Sequence, residues 1–482
     1  MAVTSLRRDA LAGLTTAFAL VPECIAFALV AHLNPLMGLY GAFFICTLTA
    51  LLGGRPGMIS GAAGSMAVVI VALVVQHGAQ YLLATVVLGG ALMVLFGALR
   101  LGKLIRMVPH PVMLGFVNGL AIVIAMAQLE HFKQGEHWLQ GTALWVMLGL
   151  VALTMAIVYV LPRLTRAVPP ALVAIVSVGV LTLALGLPTR TLGDMAHIAA
   201  GLPHLQWPAV PWTMDTLRII LPYAVLMAAV GLLETLLTLN LTDDITHTRG
   251  QPDRECVALG VANVASGLFG GMGGCAMIGQ TMINLSSGGR GRLSGVVSGV
   301  MILLFILFLS SWIERIPLAA LVGVMFVVAQ QTFAWGSLQV LGKIPRHDAL
   351  VVVAVTLITV LTDLATAVLC GVVISALSFA WQHAREIRAE YTDSPDGRRY
   401  RLYGTLFFAS TTRFQSLFDP ASDPARVVID CAGLQVADHS AIAALEALLV
   451  RYRNQGREVD VVHLSPRCET LLNRAGISTG QG

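Results

Sequence analysis

Charge is what this chain has least of. Only 12% of its 482 residues are Asp, Glu, Lys or Arg, against a usual share of roughly 25%. That shortage excludes an ordinary water-soluble globular domain over most of its length. Seven cysteines are scattered at positions 24, 46, 256, 275, 370, 431 and 468 with no CxxC pair. They fit neither a disulfide framework nor a zinc site and read as small packing residues. The 12 histidines show no metal-ligand spacing. No nucleophile–base pair or metal cluster appears, so an enzyme is the least expected class. No cleavable signal is expected, because the first apolar run contains Pro22 and Glu23 and lacks a small-residue cleavage pattern. A net charge of +4 says little about nucleic acid, since the basic residues lie mostly at the edges of apolar runs.

Hydrophobic residues make up 56% of the chain, and mean hydropathy is +0.80. The apolar runs are long enough to cross a bilayer, so the chain reads as an α-helical polytopic membrane protein. Fourteen candidate segments are legible: 10–31, 36–53, 58–76, 80–99, 111–130, 142–161, 168–187, 217–241, 256–271, 275–287, 294–312, 317–333, 348–362 and 364–381. Charge density rises sharply after Trp381, from Arg385 to Arg401, which predicts a membrane domain over 1–384 and a soluble tail over 385–482.

Two of those segments open on glycine. Gly57-Met58-Ile59-Ser60-Gly61-Ala62-Ala63-Gly64-Ser65 leads into an apolar run from Met66 to Val75, and Gly270-Gly271-Met272-Gly273-Gly274-Cys275-Ala276 leads into Met277 to Leu285. Neither run reaches the about 20 residues a spanning helix needs. Non-helical backbone at membrane depth is tolerated only where protein or a water-filled cavity satisfies its polar groups. A matched pair of interrupted segments in two halves of a chain points to a transporter's substrate site.

The positive-inside rule supports the threading. With both termini in the cytoplasm, the inside loops hold fourteen basic residues, including Arg7, Arg55, Arg100, Arg163, Arg249, Arg290 and Lys343. The outside loops hold four: Lys133, Arg190, Arg218 and Arg315. The longest outside connection, 188–215, divides the spans into sets of seven, about 10–187 and 217–381. The interrupted segment is third in each set. Seven is odd, so the second set enters inverted, and such repeats place a site where the halves meet.

Acids within spans are costly and therefore functional candidates. Glu23 and Glu234 sit mid-segment in the first span of each half and are predicted pseudo-symmetric partners; a purely structural role locking helices together is the alternative for each. Glu130 and Asp363 lie at span ends, where a solvated acid is cheap. A helix N-terminus carries free amides and about half a positive charge, which suits an anion. Ala63, Gly64 and Ser65 are expected to supply one set of donors, and Ala276, Met277, Ile278 and Gly279 the other. Gln280 and Thr281 would donate from their side chains. No lysine or arginine lies in the span interiors, so no fixed counter-ion is available there.

These residues resemble the sulfate permease (SulP) family of anion transporters. The resemblance rests on Leu11-Ala12-Gly13-Leu14-Thr15, Leu20-Val21-Pro22-Glu23, Gly115 to Ile122, Leu232 to Thr238, Asn263 to Gly271 with Asn284 and Gly288-Gly289-Arg290, and Ile316 to Leu321. It runs nearly end to end. The tail reads as strands at 400–408, 425–431 and 458–464 with an amphipathic helix at 440–454, and looks like a STAS domain. The resemblance implies substrate between the third and tenth helices, lined by the first and eighth. It also implies a homodimer, and a core moving against a gate formed by helices five to seven and twelve to fourteen.

Three departures bear on coupling and substrate. Many members carry Gln where Glu23 stands; an acid there, beside an anion, suggests a proton carried with it. Many carry Arg at the position of Gln280, and its loss weakens the pull on a divalent anion such as sulfate. His439 follows Asp438 where bacterial STAS regulators carry a phosphorylatable Ser, so phosphoswitching there is not expected. Glu234 with Thr238 matches the i, i+4 spacing of sodium-coupled relatives.

The expectation is a secondary transporter of small anions (bicarbonate, sulfate, chloride or a short dicarboxylate), proton-coupled through Glu23, in a bacterial inner membrane. It needs no cofactor beyond the coupling ion. Alternatives are sodium symport through Glu234 and Thr238, a nucleobase permease of the same fold, and a membrane-anchored STAS sensor.

Overall fold

The computed structural model describes all residues except 1, 103–109, 135–136, 166–167, 196–200, 341–345, 363–369, 372, 375, 378–379, 382, 385, 396 and 464–482. Asp363 and much of the expected segment 364–381 lie outside the described residues. The chain divides into two compact units, Met1–Gly371 and Val372–Gly482, a division thirteen residues ahead of the composition break.

In the first unit the helices are α1 (Ala2–Val30), α2 (Pro35–Leu52), α3 (Gly64–His77), α4 (Ala79–Ala98), α5 (His110–Gln128), α6 (Gly141–Leu164) and α7 (Pro170–Leu185). After a long connection come α8 (Met214–Thr246), α9 (Pro252–Leu268), α10 (Ile278–Ser286), α11 (Arg292–Glu314), α12 (Leu318–Thr332), a short α13 (Trp335–Val340) and α14 (Arg346–Leu361). Seven of these, α1, α2, α4, α5, α6, α8 and α11, are long and apolar enough to cross a membrane. Large apolar side chains on their outer faces, such as Trp145 at 74% and Phe308 at 72% exposure, suit a hydrocarbon solvent rather than water. The short helix α13 was not legible as a separate element.

Packing repeats between the halves. α4 lies against α9, and α11 against α2; α1 packs on α11, and α8 on α4; α12 meets α6, and α5 meets α14. Exchanging the first half for the second maps each pair onto the other, which is the signature of an inverted repeat. α1–α4 and α8–α11 pack chiefly among themselves, as do α5–α7, α12 and α14, with thinner contact between the groups through α1 and α3.

Where the sequence breaks off in glycine, the chain forms two short strands, β1 (Ser60–Ala62) and β4 (Gly274–Ala276). Between them in sequence, β2 (Lys133–Gln134) and β3 (His137–Trp138) form a small separate hairpin. β1 and β4 pair antiparallel, Ser60 with Ala276, Gly61 with Cys275 and Ala62 with Gly274. Gly57 at φ +83° and Gly270 at φ +77° turn the chain into each strand through a region that side chains disfavour. The turn before β1 is anchored by polar groups. Arg55 pairs with Asp243 at 3.2 Å, and the Glu255 carboxylate accepts the amides of Gly54 and Arg55 at 2.6 and 3.0 Å.

The second unit is a four-stranded sheet in the order β5 (Arg388–Ser394), β6 (Gly397–Leu406), β7 (Arg426–Val436), β8 (Glu458–Val462). β5 and β6 form an antiparallel hairpin, and β6–β7 and β7–β8 are parallel. Helices α15 (Thr411–Ser416) and α16 (His439–Asn454) follow β6 and β7. Leu445, Leu448 and Tyr452 of α16 bury against Val427, Ile429 and Leu402 of the sheet. The expected strands and helix are all present; β5, charged and mostly exposed, was not foreseen. Asp438 is explained as a cap: it accepts the Ala441 amide at 2.9 Å and the Phe408 amide at 2.8 Å.

Asp423 is the buried polar centre of this unit, accepting hydrogen bonds from Tyr400, Tyr452 and Arg398. Asp423→Ala is expected to destabilise it by roughly 3–5 kcal/mol, because donors are left buried without an acceptor. Amide exchange of β6 and β7 in the full chain measures this, and unaltered protection would show that Asp423 contributes little.

Candidate functional site

The two interrupted helices begin where the β1–β4 ribbon ends. The chain enters α3 through Ala63, which is extended at φ −113°, ψ 149°. It enters α10 through Met277, extended at φ −109°, ψ 118°. Because the strands are antiparallel, the two helix N-termini flank opposite ends of one ribbon. Each therefore presents the amides of its first turn and the positive end of its dipole beside the ribbon.

The two mid-span acids cross over. Glu23 of α1 meets Gln280 in the first turn of α10. Glu234 of α8 accepts the Ser65 hydroxyl, in the first turn of α3, at 2.7 Å. The acid of each half thus reaches the interrupted helix of the other half. Both residues are largely buried.

Their surroundings differ in ways that decide their chemistry. Glu234 Oε2 also accepts the Cys275 thiol at 2.7 Å, so this carboxyl ties α3 and β4 together across the ribbon. Thr238 is buried one turn on, its hydroxyl donating to the Glu234 carbonyl at 2.7 Å. Glu23 has Gln280 for its side-chain partner. Gln280 is 1% exposed, and its Oε1 has no hydrogen-bond partner among the described residues. A buried, unpartnered acceptor next to an acid calls for a proton-bearing partner.

The expected anion donors separate into free and engaged groups. The Ala276 amide donates to the Thr235 hydroxyl at 3.0 Å, and the Met277 amide to the Ile59 carbonyl at 2.9 Å. These two are corrected: strand pairing and a side-chain cap consume their N–H groups, leaving Ile278, Gly279 and Gln280 as the donors on α10. Thr281 is likewise engaged, accepting the Ile59 amide at 3.0 Å. The two ends are also unequally open. Ile278 and Gly279 are exposed, whereas Ala63, Gly64 and Ser65 are buried. Phe27 closes over Gly64, where an added Cβ would stand 2.7 Å from its ring.

Sequence reasoning missed Thr235 and Cys275. Thr235 sits one residue past Glu234 and caps β4, a bond made across 41 residues. Cys275 was read as packing, yet it donates to a carboxyl. Glu130 behaves as expected of a span-end acid, exposed and paired with Lys133 at 2.7 Å.

Residues 6–355 match the Sulfate permease family and residues 388–479 the STAS domain. YbaR of Bacillus subtilis, assigned by name to sulfate transport, is 42% identical over 471 residues, covering 98% of this chain and 97% of its own. The bicarbonate transporter BicA of Synechocystis is 30% identical over 515 residues, covering 98% and 90%. The solved transmembrane domain of a cyanobacterial BicA superposes with a TM-score of 0.67 at 32% identity, over 75% of this chain and 97% of that one. Murine Slc26a9, an anion transporter solved in the inward-facing state, shares the fold at a TM-score of 0.84 and 17% identity, over 97% and 87%.

Proposed function

We propose a function from one premise: this chain belongs to the sulfate permease family of membrane transporters and carries a C-terminal STAS domain. On that premise it is a secondary transporter that moves a small anion by alternating access, with a proton carried at Glu23. The inner-membrane location, cytoplasmic termini and homodimer that the resemblance implies belong to the same proposal.

One observation carries the reading: Glu23, with Gln280 for its partner, stands beside the first turn of α10, whose amides have no partner within the helix. Amides and a helix dipole attract an anion without a fixed cation, and hold it loosely enough to release. A carboxyl at the same place takes up a proton as the anion arrives, which removes like-charge repulsion. Glu234 is less suited to carrying a proton, because its Oε2 already accepts two donors. Gln280 in place of a cation favours a singly charged anion over sulfate, and its unpartnered Oε1 favours one that bears an O–H group.

A second reading rests on Glu234 and Thr238 and on the bicarbonate transporters among the relatives. A proton travelling with bicarbonate is chemically equivalent to carbon dioxide and water, so that pairing accumulates no more than diffusion of carbon dioxide does. Bicarbonate uptake would need sodium at Glu234 and Thr238, whereas proton coupling suits a dicarboxylate in its singly protonated form, which carries one charge and one O–H. The two readings therefore predict different pairs of anion and gradient.

Proteoliposomes loaded under an imposed proton or sodium gradient decide the matter with labelled bicarbonate, sulfate, chloride and succinate. The expected result is proton-stimulated uptake of one anion. Sodium-stimulated bicarbonate uptake, lost in Thr238→Val, would establish the second reading instead. Absence of flux for every anion under both gradients would remove the transport proposal.

A further inference from the structure

Away from the first turn of α10, α1, α7, α11 and the α11–α12 turn line an apolar crevice of about 220 Å³. Its walls include Pro22, Gly179, Leu183, Trp312 and Pro317, and Arg315 stands at its rim. Two residues without reach make the space. Pro22 lies inside α1, and Gly179 has no side chain; a Cβ there would still be 3.7 Å from the Pro317 ring. Leu183 and Trp312 are 66% and 65% exposed, so the crevice opens on the lipid-facing surface.

A gap of this kind in a bilayer loses dispersion contacts on every wall unless hydrocarbon enters it. The rim supplies the other half of a ligand. The Arg315 guanidinium lies over the Trp312 ring at 5.4 Å, at the C-terminal end of a 23-residue apolar helix. Tryptophan and arginine at a span end belong at headgroup level, where a cation meets lipid phosphate. An apolar slot with a cation at its mouth has the chemistry of one acyl chain and its phosphodiester.

We propose that this crevice binds a phospholipid, one acyl chain lying between α7 and α11 and its phosphate pairing with Arg315. The chain would wedge between helix groups that otherwise pack chiefly among themselves. Its inner end reaches Pro22, one residue before Glu23, so occupancy sets how closely α7 approaches α1 beside that acid. The site depends on membrane placement alone, and stands whichever anion or coupling ion the protein uses.

Photolabelling of the full chain in liposomes tests it, using phosphatidylethanolamine or phosphatidylglycerol with a diazirine in the acyl chain. Label should concentrate on residues 176–183 and 308–313 with either lipid, since both carry the phosphate. Gly179→Leu should remove most of it by filling the slot, and Val176→Phe, at an exposed position, should do the same. Arg315→Gln should lower labelling about fivefold, the equivalent of about 1 kcal/mol for one exposed ion pair with the phosphate. Label spread evenly over the outer faces of α4 and α6, or equal in wild type and both filled variants, overturns the proposal. So does equal labelling by a photoreactive hydrocarbon without a phosphate, or crosslinking to a second copy at these positions.

Discussion

Glu23→Gln should reduce proton-driven uptake to the level of liposomes without a gradient, while anion exchange across the same membrane persists. The carboxamide is nearly the same size as the carboxyl and keeps a hydrogen bond with Gln280, so the α1–α10 contact survives. It has no titratable proton, so the coupling step alone is removed. A structural role for Glu23 predicts the opposite pattern, with exchange and proton-driven uptake falling together. The diagnostic measurement is therefore the ratio of the two rates. A variant whose uptake still follows the proton gradient would return Glu23 to a helix-locking role. The same experiment on Glu234→Ala should depress both rates, because it removes the oxygen that accepts from Ser65 and Cys275 across the ribbon.

The other large effect is expected at Gly274. A Cβ on this residue would fall well inside contact distance of the Gly61 carbonyl oxygen, and also press on the Ile45 side chain. Backbone cannot yield there without parting β1 from β4, whose register sets where both helices begin. Gly274 is also held by Asn263, whose side-chain amide bonds its N–H and C=O at 3.0 Å each. Gly274→Ala should cost about 1–3 kcal/mol as overpacking, and Gly274→Val should abolish flux under any gradient. Gly149→Ala serves as control, because a Cβ there meets nothing within 4 Å. Thermal unfolding in detergent separates lost stability from lost transport. Wild-type flux in Gly274→Val would show that the ribbon does not organise the site.

Membrane placement, the internal repeat and the two interruptions were legible because they depend on local quantities. A run of apolar residues either reaches bilayer thickness or does not. Glycine clusters before runs as short as Met66–Val75 and Met277–Leu285 mark backbone that cannot be continuous helix. The tail's parallel strands and α16 were legible from periodicity, but β5 was not. Its sequence, Arg388 to Ser394, carries charge and exposure along most of its length, and it is a strand because β6 pairs with it.

Partner choice was not legible. Ala276 and Met277 stand in the sequence as donors equivalent to Ile278 and Gly279, yet Thr235 and Ile59 take their amides from 41 and 218 residues away. The pairing of Glu23 with Gln280, and of Glu234 with Ser65, joins opposite halves of the chain. Nor does spacing show that Phe27 covers the start of α3 while the start of α10 stays open. By itself the sequence determined the solvent, the repeat and the positive helix ends, since hydrophobic length and glycine act within a few residues. Only the tertiary structure decided which amides are consumed and which group each acid meets, because hydrogen bonds are claimed by whichever group folding brings near.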